Sequence, residues 1–305
     1  MAYRDFCVQY MAFLFLFLYF LFLVPGASPS NAASCPAGLV FSANLEGNWD
    51  LFMVSENGKD LVRFTNTPFD EKEPCWSKDR TKIAYAASDG KIYVINTAEG
   101  AKSSLETKHK ISGFSPCFSP EGTRLVFVQP VPEAKDDTDL VLFDFNRKQS
   151  STLIHQYAAQ FGPSWSPDGR WIAYINSHCS GDCGRIIQEL WLADPRGSHA
   201  RQLLLTNSFC REPSWSPDGK RIAFSSDKAG NFDIWILNLE DWRLSQVTTF
   251  DGLDVSPAWS PDGKRLAFIS TRSGIMEIWI KDLTSGESTV LRPFGRPIEC
   301  KDVAW

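Results

Sequence analysis

The sequence predicts an all-β fold, a single six-bladed β-propeller whose ring is closed by pairing the C-terminal strand with the N-terminal strands. Three observations support it: a recurring Trp-Ser-Pro-Asp-Gly motif, a repeat of about 45 residues, and two chain ends that each supply part of a repeat. The aromatic anchors of the motif copies stand 42 to 50 residues apart and are Trp76, Phe118, Trp165, Trp215 and Trp259.

Each repeat is expected to form four short antiparallel strands. An apolar alternating run such as residues 221–226 follows the motif, and a loop, a second run such as residues 233–238 and a final short run come after it. Alternation bounded by Gly, Asn and Pro is typical of strands. In Ser-Pro-Asp-Gly, proline fixes φ and glycine accepts a positive φ, so this segment is predicted to be a tight turn. Four strands in about 45 residues make one propeller blade.

The two chain ends are expected to build one blade together. Residues 39–52 align without a gap on residues 266–279, so the first repeat begins at the second strand of a blade. Trp305 lies 46 residues after Trp259, so residues 302–305 form the missing first strand. Joining them leaves no exposed edge strand in the ring. We number this blade one, and blades two to six follow in chain order.

The N-terminal segment, residues 1–32, is predicted to be a signal peptide, with the propeller occupying residues 33–305. Residues 11–24 form an unbroken apolar run, which is short for a membrane span and fits the core of a secretory signal. Arg4 is matched by Asp5, so the usual positive excess is missing and an uncleaved anchor is the alternative. The expected location is the periplasm or the extracellular space, with membrane contact only through this segment if it is uncleaved.

Composition excludes several classes of protein. With 43% hydrophobic and 22% charged residues, the chain has enough apolar surface to fold, and its 20 glycines and 18 prolines are too few for collagen. The net charge of -5 argues against nucleic acid as a partner, because such binding depends on Lys and Arg neutralising phosphates.

The motif carries a family resemblance. Trp-Ser-Pro-Asp-Gly, followed by Ile-Ala-Phe and then by Asp- or Glu-Ile-Trp, resembles the TolB-type (WD-repeat-like) propeller repeat over residues 38–305. The resemblance implies a propeller that binds protein partners in the cell envelope, and similar repeats occur in propellers attached to peptidases. The α/β domain that precedes the TolB propeller is expected to be absent here, so a Tol-Pal role is not implied. The sequence contains no Gly-x-Ser-x-Gly motif of an attached hydrolase.

Two series of carboxylates recur. The turn series is expected to bond nearby backbone N–H groups: Asp79, Glu121, Asp168, Asp218 and Asp262. The second series stands just before the third strand, and we expect it to make blade-to-blade hydrogen bonds or a negative rim: Asp50, Asp139, Glu189, Asp233 and Glu277. If Asp50, Asp233 and Glu277 instead line the central channel, they could bind a cation or small ligand, or serve an enzyme.

Aromatic and histidine residues give weaker signals. The repeated anchors are predicted to pack one blade on the next, whereas Trp49, Phe232 and Trp242 lie in or beside loops and are candidates for a surface contact. The four histidines occupy unrelated blade positions, so no catalytic residue, metal site or cofactor is expected; they are His109, His155, His178 and His199.

Seven cysteines remain once Cys7 is removed with the signal, an odd number for an exported chain. The longest irregular insertion, between the second and third strands of blade four, contains His178, Cys179, Asp182 and Cys183. One disulfide is expected among Cys179, Cys183 and Cys210, most simply Cys179 to Cys183, and a zinc site with His178 is the alternative. Cys75 and Cys117 are expected to be buried thiols rather than a bridge.

These observations predict an exported, monomeric, non-catalytic propeller that binds an envelope or secreted protein, or a cell-wall ligand, through the loop face with the blade-four insertion. The alternatives are an enzyme or small-ligand binder using the channel, and a propeller subunit of a separate peptidase. The candidate binding residues are Trp49, Asp50, His178, Asp182, Phe232, Asp233 and Glu277.

Overall fold

The computed structural model describes residues 38–105, 112–132, 134, 137–156, 158–179 and 186–305, without the side chain of Cys179. Within these residues every regular element is a β-strand, and no helix is long and apolar enough to cross a membrane. In chain order the strands are β1 Gly38–Asn44, β2 Trp49–Ser55, β3 Leu61–Arg63, β4 Glu71–Trp76, β5 Lys82–Ala87, β6 Ile92–Asn96, β7 Lys102–Ser104, β8 Phe114–Phe118, β9 Arg124–Pro130, β10 Thr138–Asp144, β11 Gln149–Ile154, β12 Gln160–Trp165, β13 Ile172–Cys179, β14 Ile186–Ala193, β15 Arg201–Gln202, β16 Cys210–Trp215, β17 Arg221–Ser226, β18 Asp233–Asn238, β19 Leu244–Gln246, β20 Asp254–Trp259, β21 Arg265–Ser270, β22 Glu277–Asp282, β23 Ser288–Leu291 and β24 Cys300–Ala304.

The strands form six four-stranded antiparallel sheets, one for each predicted blade. In blades two to six, four strands consecutive in the chain are also neighbours in the sheet, whereas blade one has the order β24-β1-β2-β3. The predicted six-bladed propeller, closed by pairing the two ends of the chain, is therefore confirmed. The signal-peptide prediction for residues 1–32 lies outside the described residues and stays a prediction.

Blade one is closed by strand pairing and by side chains. Val40 pairs with Ala304 and Ala43 with Cys300, with a register shift between these pairs. The guanidinium of Arg265, in blade six, lies 4.7 Å from the ring centroid of Trp305 and donates a hydrogen bond to Glu56 at 2.9 Å. The C-terminal strand therefore contacts both the sheet it completes and the neighbouring blade.

The core consists of the interfaces between blades. Trp76 packs on Val40 and Met53 of blade one, and Trp165 packs on Val126 of blade three. The indole N–H of Trp259 donates to the carbonyl oxygen of Ser214 in the preceding blade at 3.0 Å. Each anchor thus faces the blade before it, as predicted from its fixed place in the repeat.

The turns after the first strands of blades two to six have the predicted chemistry, as blade six illustrates. In blade six the Ser260 hydroxyl donates to Asp262 at 2.5 Å, and the Lys264 N–H donates to the same carboxylate at 3.0 Å. Gly263 has a φ of +67°, which costs glycine little. The hydrogen bond from Ser260 lowers the pKa of Asp262, because it stabilises the charged form.

Candidate functional site

The second carboxylate series lies inside the blades. Asp50 accepts a hydrogen bond from Arg63 at 2.6 Å, Asp233 from Gln246 at 2.9 Å, and Glu277 from Arg292 at 3.0 Å. These donors lie in, or directly after, the fourth strand of the same blade, so the predicted blade-to-blade bond is wrong. The alternative in which Asp50, Asp233 and Glu277 line the channel is not supported either, because none of the three carboxylates lines the channel cavity.

The environments of Asp233 and Glu277 shift their titration in opposite directions. Burial raises the pKa of Asp233, despite hydrogen bonds from Gln246 and Thr248. Burial also acts to raise the pKa of Glu277, but hydrogen bonds from Arg292 and Ser273 lower it overall. Both carboxylates are engaged in contacts that hold the fourth strand and the loop after it.

Two of the three loop aromatics are covered. Trp49 is buried, with the ammonium group of Lys301 4.3 Å from its ring centroid. Phe232 is half-buried, with the Arg211 guanidinium 5.0 Å from its ring. Trp242 is 55% exposed in the turn between β18 and β19. A partner contact by Trp49 or Phe232 stays a prediction.

The blade-four insertion is described only at its edges. His178 is half-buried, and its Nε2 lies 3.9 Å from a carboxylate oxygen of Glu189. Asp182, Cys183 and the side chain of Cys179 lie outside the described residues, so the Cys179–Cys183 disulfide stays a prediction. Cys210 is a free, buried thiol 3.4 Å from the Thr206 hydroxyl. In the described part of the chain, no three His, Cys, Asp or Glu side chains are grouped as metal ligands.

One face of the propeller carries most of the exposed apolar side chains. In each antiparallel blade, the connection between the second and third strands and the connection to the next blade emerge at the same end, which we call the loop face. Of five large apolar residues that are well exposed in the described ranges, four lie there: Phe69 (39% exposed), Ile186 (54%), Leu205 (67%) and Leu253 (42%). Trp242 lies at the opposite end.

The first strands line a central channel with a cavity of about 460 Å³. At the same position in every first strand, one residue has a positive φ of 49° to 55°. The register of that strand shifts in each blade, as in a β-bulge. We call these six residues the channel ring: Glu73, Ser115, Gly162, Glu212, Ser256 and Asp302.

Three carboxylates of the channel ring link neighbouring blades. The backbone N–H of Ser115 donates to Glu73 at 2.6 Å, and that of Ser256 donates to Glu212 at 2.6 Å. The N–H of Glu73 donates to Asp302 at 3.3 Å. Carboxylates therefore do bond from blade to blade, but at a position that the sequence analysis did not identify. The sequence did contain one sign of this position: the residue before the repeated proline is acidic in two copies of the motif, at Glu73 and Glu212.

Two of the ring carboxylates, Asp302 and Glu73, have raised pKa values. Desolvation, followed by repulsion from Glu73 and Glu212, raises the pKa of Asp302 to about 7. Burial likewise raises the pKa of Glu73, despite hydrogen bonds from Ser115. The channel therefore gains negative charge as pH rises through neutrality.

Asp302→Asn should remove most of the fall in protein stability that occurs as pH rises through neutrality. The ordinary pKa of the aspartate is 3.8 and the folded value is about 7, so only the folded state holds this proton between them. The free energy of unfolding should therefore fall by about 1–4 kcal/mol as pH rises through this window. Urea unfolding at pH 5 and pH 8 measures it. Asp262→Asn, at an exposed turn, should keep the wild-type pH dependence; an equal pH dependence in Asp302→Asn would contradict the assignment.

Comparisons with known proteins agree with this geometry. A TolB homologue of Chlorobaculum tepidum is 33% identical over 109 residues, which cover 35% of this chain but only 24% of that protein. The crystal structure of TolB from Acinetobacter baumannii superposes with a TM-score of 0.74 at 17% identity, covering 88% of this chain and 66% of that one. An oligogalacturonate lyase in complex with manganese superposes with a TM-score of 0.58 at 16% identity, covering 83% and 73% of the two chains. At these identities the two structures show a shared fold alone.

The family itself is indicated by a match to a family model. The model described as TolB beta propeller domain matches residues 74–185 and 185–296, more than two thirds of the chain. These matches cover the repeats that form blades two to six. The chain belongs to the TolB beta propeller domain family.

Proposed function

We propose that this protein is an exported, non-catalytic and monomeric propeller that binds a protein partner of the cell envelope through its loop face. The observation that carries the proposal is the location of Phe69, Ile186, Leu205 and Leu253, which are exposed on that face. Apolar side chains exposed on one face gain free energy when a partner removes them from water. Similarity to a TolB homologue supports a role in the envelope.

The loops that carry these side chains are held in place. Asn48 donates to the carbonyl oxygens of Thr67 and Phe69 at 2.8 and 3.3 Å, and Asn231 donates to those of Phe250 and Gly252 at 2.6 and 2.8 Å. Such loops lose little conformational entropy when a partner binds, which favours affinity.

The loop that contains Leu205 connects β15 to β16, and a carboxylate of the second series holds it in place. The N–H groups of Thr206 and Asn207 donate to one oxygen of Glu189 at 2.8 and 3.0 Å. The carboxylates that the sequence analysis singled out therefore serve the proposed function by positioning loops. This role requires no contact between the carboxylates and the partner.

The enzyme alternative has less support. It depended on Asp50, Asp233 and Glu277 facing the channel, and these carboxylates lie in third strands with partners of their own. The similarity to oligogalacturonate lyase is one of fold. We therefore give the binding role precedence over a reaction in the channel.

A capture experiment tests the binding role. The full protein and its Leu205→Glu/Leu253→Glu variant are immobilised, exposed to envelope extract, and the retained proteins are quantified by mass spectrometry. A charge in a desolvated contact should reduce recovery of the specific partner by about tenfold or more. Trp242→Glu, which alters an equally exposed apolar residue on the opposite face, should retain the partner. Equal recovery by all three proteins would remove the loop face from the proposal.

Export is tested separately. The full gene product carrying a C-terminal tag should be found in the periplasmic or extracellular fraction, with a mass that reports whether residues 1–32 were removed. Recovery with cytoplasmic markers would overturn the proposed location without affecting the binding result.

A further inference from the structure

Two cysteines face the channel at one blade interface. Cys75 in β4 and Cys117 in β8 occupy equivalent positions in blades two and three, two residues after Glu73 and Ser115 of the channel ring. Both line the channel cavity, and both are free and half-buried. The other four blades have Ser164, Ser214, Ala258 and Ala304 at this position, so two adjacent thiols occur at this interface alone.

The side chain of Cys75 reaches across the interface to the backbone beside Cys117. The Cys75 sulfur accepts a hydrogen bond at 3.3 Å from the backbone N–H of Phe118, the residue after Cys117. The Cys75 thiol donates to the carbonyl oxygen of Trp76 at 3.4 Å, and the Cys117 thiol donates to that of Phe118 at 3.8 Å. First strands of adjacent blades are packed side by side, so this contact is fixed by the ring itself.

We propose that Cys75 and Cys117 form a reactive dithiol that reduces small organic disulfides entering the channel and closes into a disulfide between blades two and three. The cavity of about 460 Å³ restricts the reaction to small molecules. The inference is independent of the partner-binding role, because it needs only the folded propeller.

The two sulfurs have different roles in the reaction. The neighbouring Cys75 thiol lowers the pKa of Cys117, whereas the neighbouring Cys117, together with burial, raises the pKa of Cys75. Cys117 is therefore the attacking thiolate, and Cys75 is the second thiol, which resolves the mixed disulfide.

The reaction balances in two steps. The Cys117 thiolate attacks one sulfur of R–S–S–R, forming a mixed disulfide and releasing R–S⁻, which takes the proton of Cys75. The Cys75 thiolate then attacks the Cys117 sulfur, forming the protein disulfide and releasing the second R–S⁻. Two electrons pass from the protein to the small disulfide, which leaves as two thiols once the second R–S⁻ takes a proton from solvent.

Bis(2-hydroxyethyl) disulfide is a suitable probe because it is small and uncharged. The full protein is reduced, freed of reductant, and treated with this probe; alkylation and peptide mapping then follow. We expect a peptide pair joined through Cys75 and Cys117, with a mass loss of about 2 Da for the bridge. Cys210 and Cys300, both buried free thiols, serve as internal controls and should be alkylated only after denaturation.

Single variants separate the two roles. Cys75→Ser should accumulate a stable mixed disulfide at Cys117, and Cys117→Ser should react at least about tenfold more slowly at Cys75. Separate mixed disulfides on both residues of the wild type, without a bridge, would overturn the proposal. So would a folded wild-type protein in which both thiols react no faster than Cys210.

Discussion

Removal of residues 300–305 is expected to abolish the stable folded state. The deletion takes away β24, leaves β1 as an unpaired edge, and removes Val303 and Trp305 from an apolar cluster. It also removes Asp302, which accepts the N–H of Glu73 in blade two. The combined loss should be about 5 kcal/mol or more, comparable with the whole stability of many domains. Urea unfolding followed by circular dichroism, with size-exclusion chromatography for aggregation, measures it.

A circular permutant provides the matched control. Leu39 aligns with Leu266, and a Ser-Pro-Asp-Gly-Lys segment stands between Trp259 and Arg265 in the corresponding turn. Joining Trp305 to Gly38 through the same five residues, with new ends at the exposed turn of residues 98–99, restores the spacing of a repeat. This permutant should fold. A deletion variant that is as stable as the permutant would show that closure contributes little.

Replacing Arg272 by alanine is expected to cost about 3–5 kcal/mol of unfolding free energy, because it leaves a buried carboxylate without its partner. Arg272 donates to Asp254 at 2.6 Å, and the Asp254 side chain is fully buried. Its guanidinium also lies 5.3 to 5.5 Å from the ring centroids of Phe250, Phe268 and Trp279. The loss therefore includes cation–π contacts as well as the ion pair. Chemical denaturation of both proteins measures the difference.

Two further variants identify the cause. Lys220→Ala breaks an ion pair with Glu240 in which both side chains are more than half exposed, and it should cost far less stability than Arg272→Ala because solvent screens the pair. Arg272→Ala/Asp254→Leu removes both buried charges and should recover much of the lost stability. If the double variant were instead clearly less stable than Arg272→Ala, the uncompensated charge of Asp254 would not explain the loss of stability in Arg272→Ala.

The blade pattern was predictable because it is repeated. Alternating apolar runs and a fixed turn recur every 42 to 50 residues, so each copy supports the interpretation of the others. The closing strand was also predictable, since residues 39–52 and 302–305 match two parts of one repeat. Ring closure then follows from the cost of leaving strand edges unpaired.

The channel ring could not be predicted in the same way. Its shared feature is a backbone conformation, and the six positions hold four different residue types. The residue before a proline ordinarily adopts an extended conformation, so Glu73 before Pro74 gives no local signal of a positive φ. The bulge arises from pairing in the sheet, which sequence patterns do not record.

The sequence also could not predict which apolar side chains are exposed on the loop face. Leu203, Leu204 and Leu205 are consecutive, yet the first two pack against the core of blades four and five and the third is exposed. Hydrophobicity alone treats the three residues as equivalent. The path of the connecting loop decides which one is available to a partner.

Hydrogen exchange of the captured complex tests the central claim most directly, because it locates the partner on the propeller. Compared with the free protein, the complex should show slower amide exchange in the loop-face segments at residues 66–70, 203–209 and 250–253. The turns of the opposite face, including residues 239–243 around Trp242, should be unchanged. Protection confined to that opposite face would contradict the proposed binding surface.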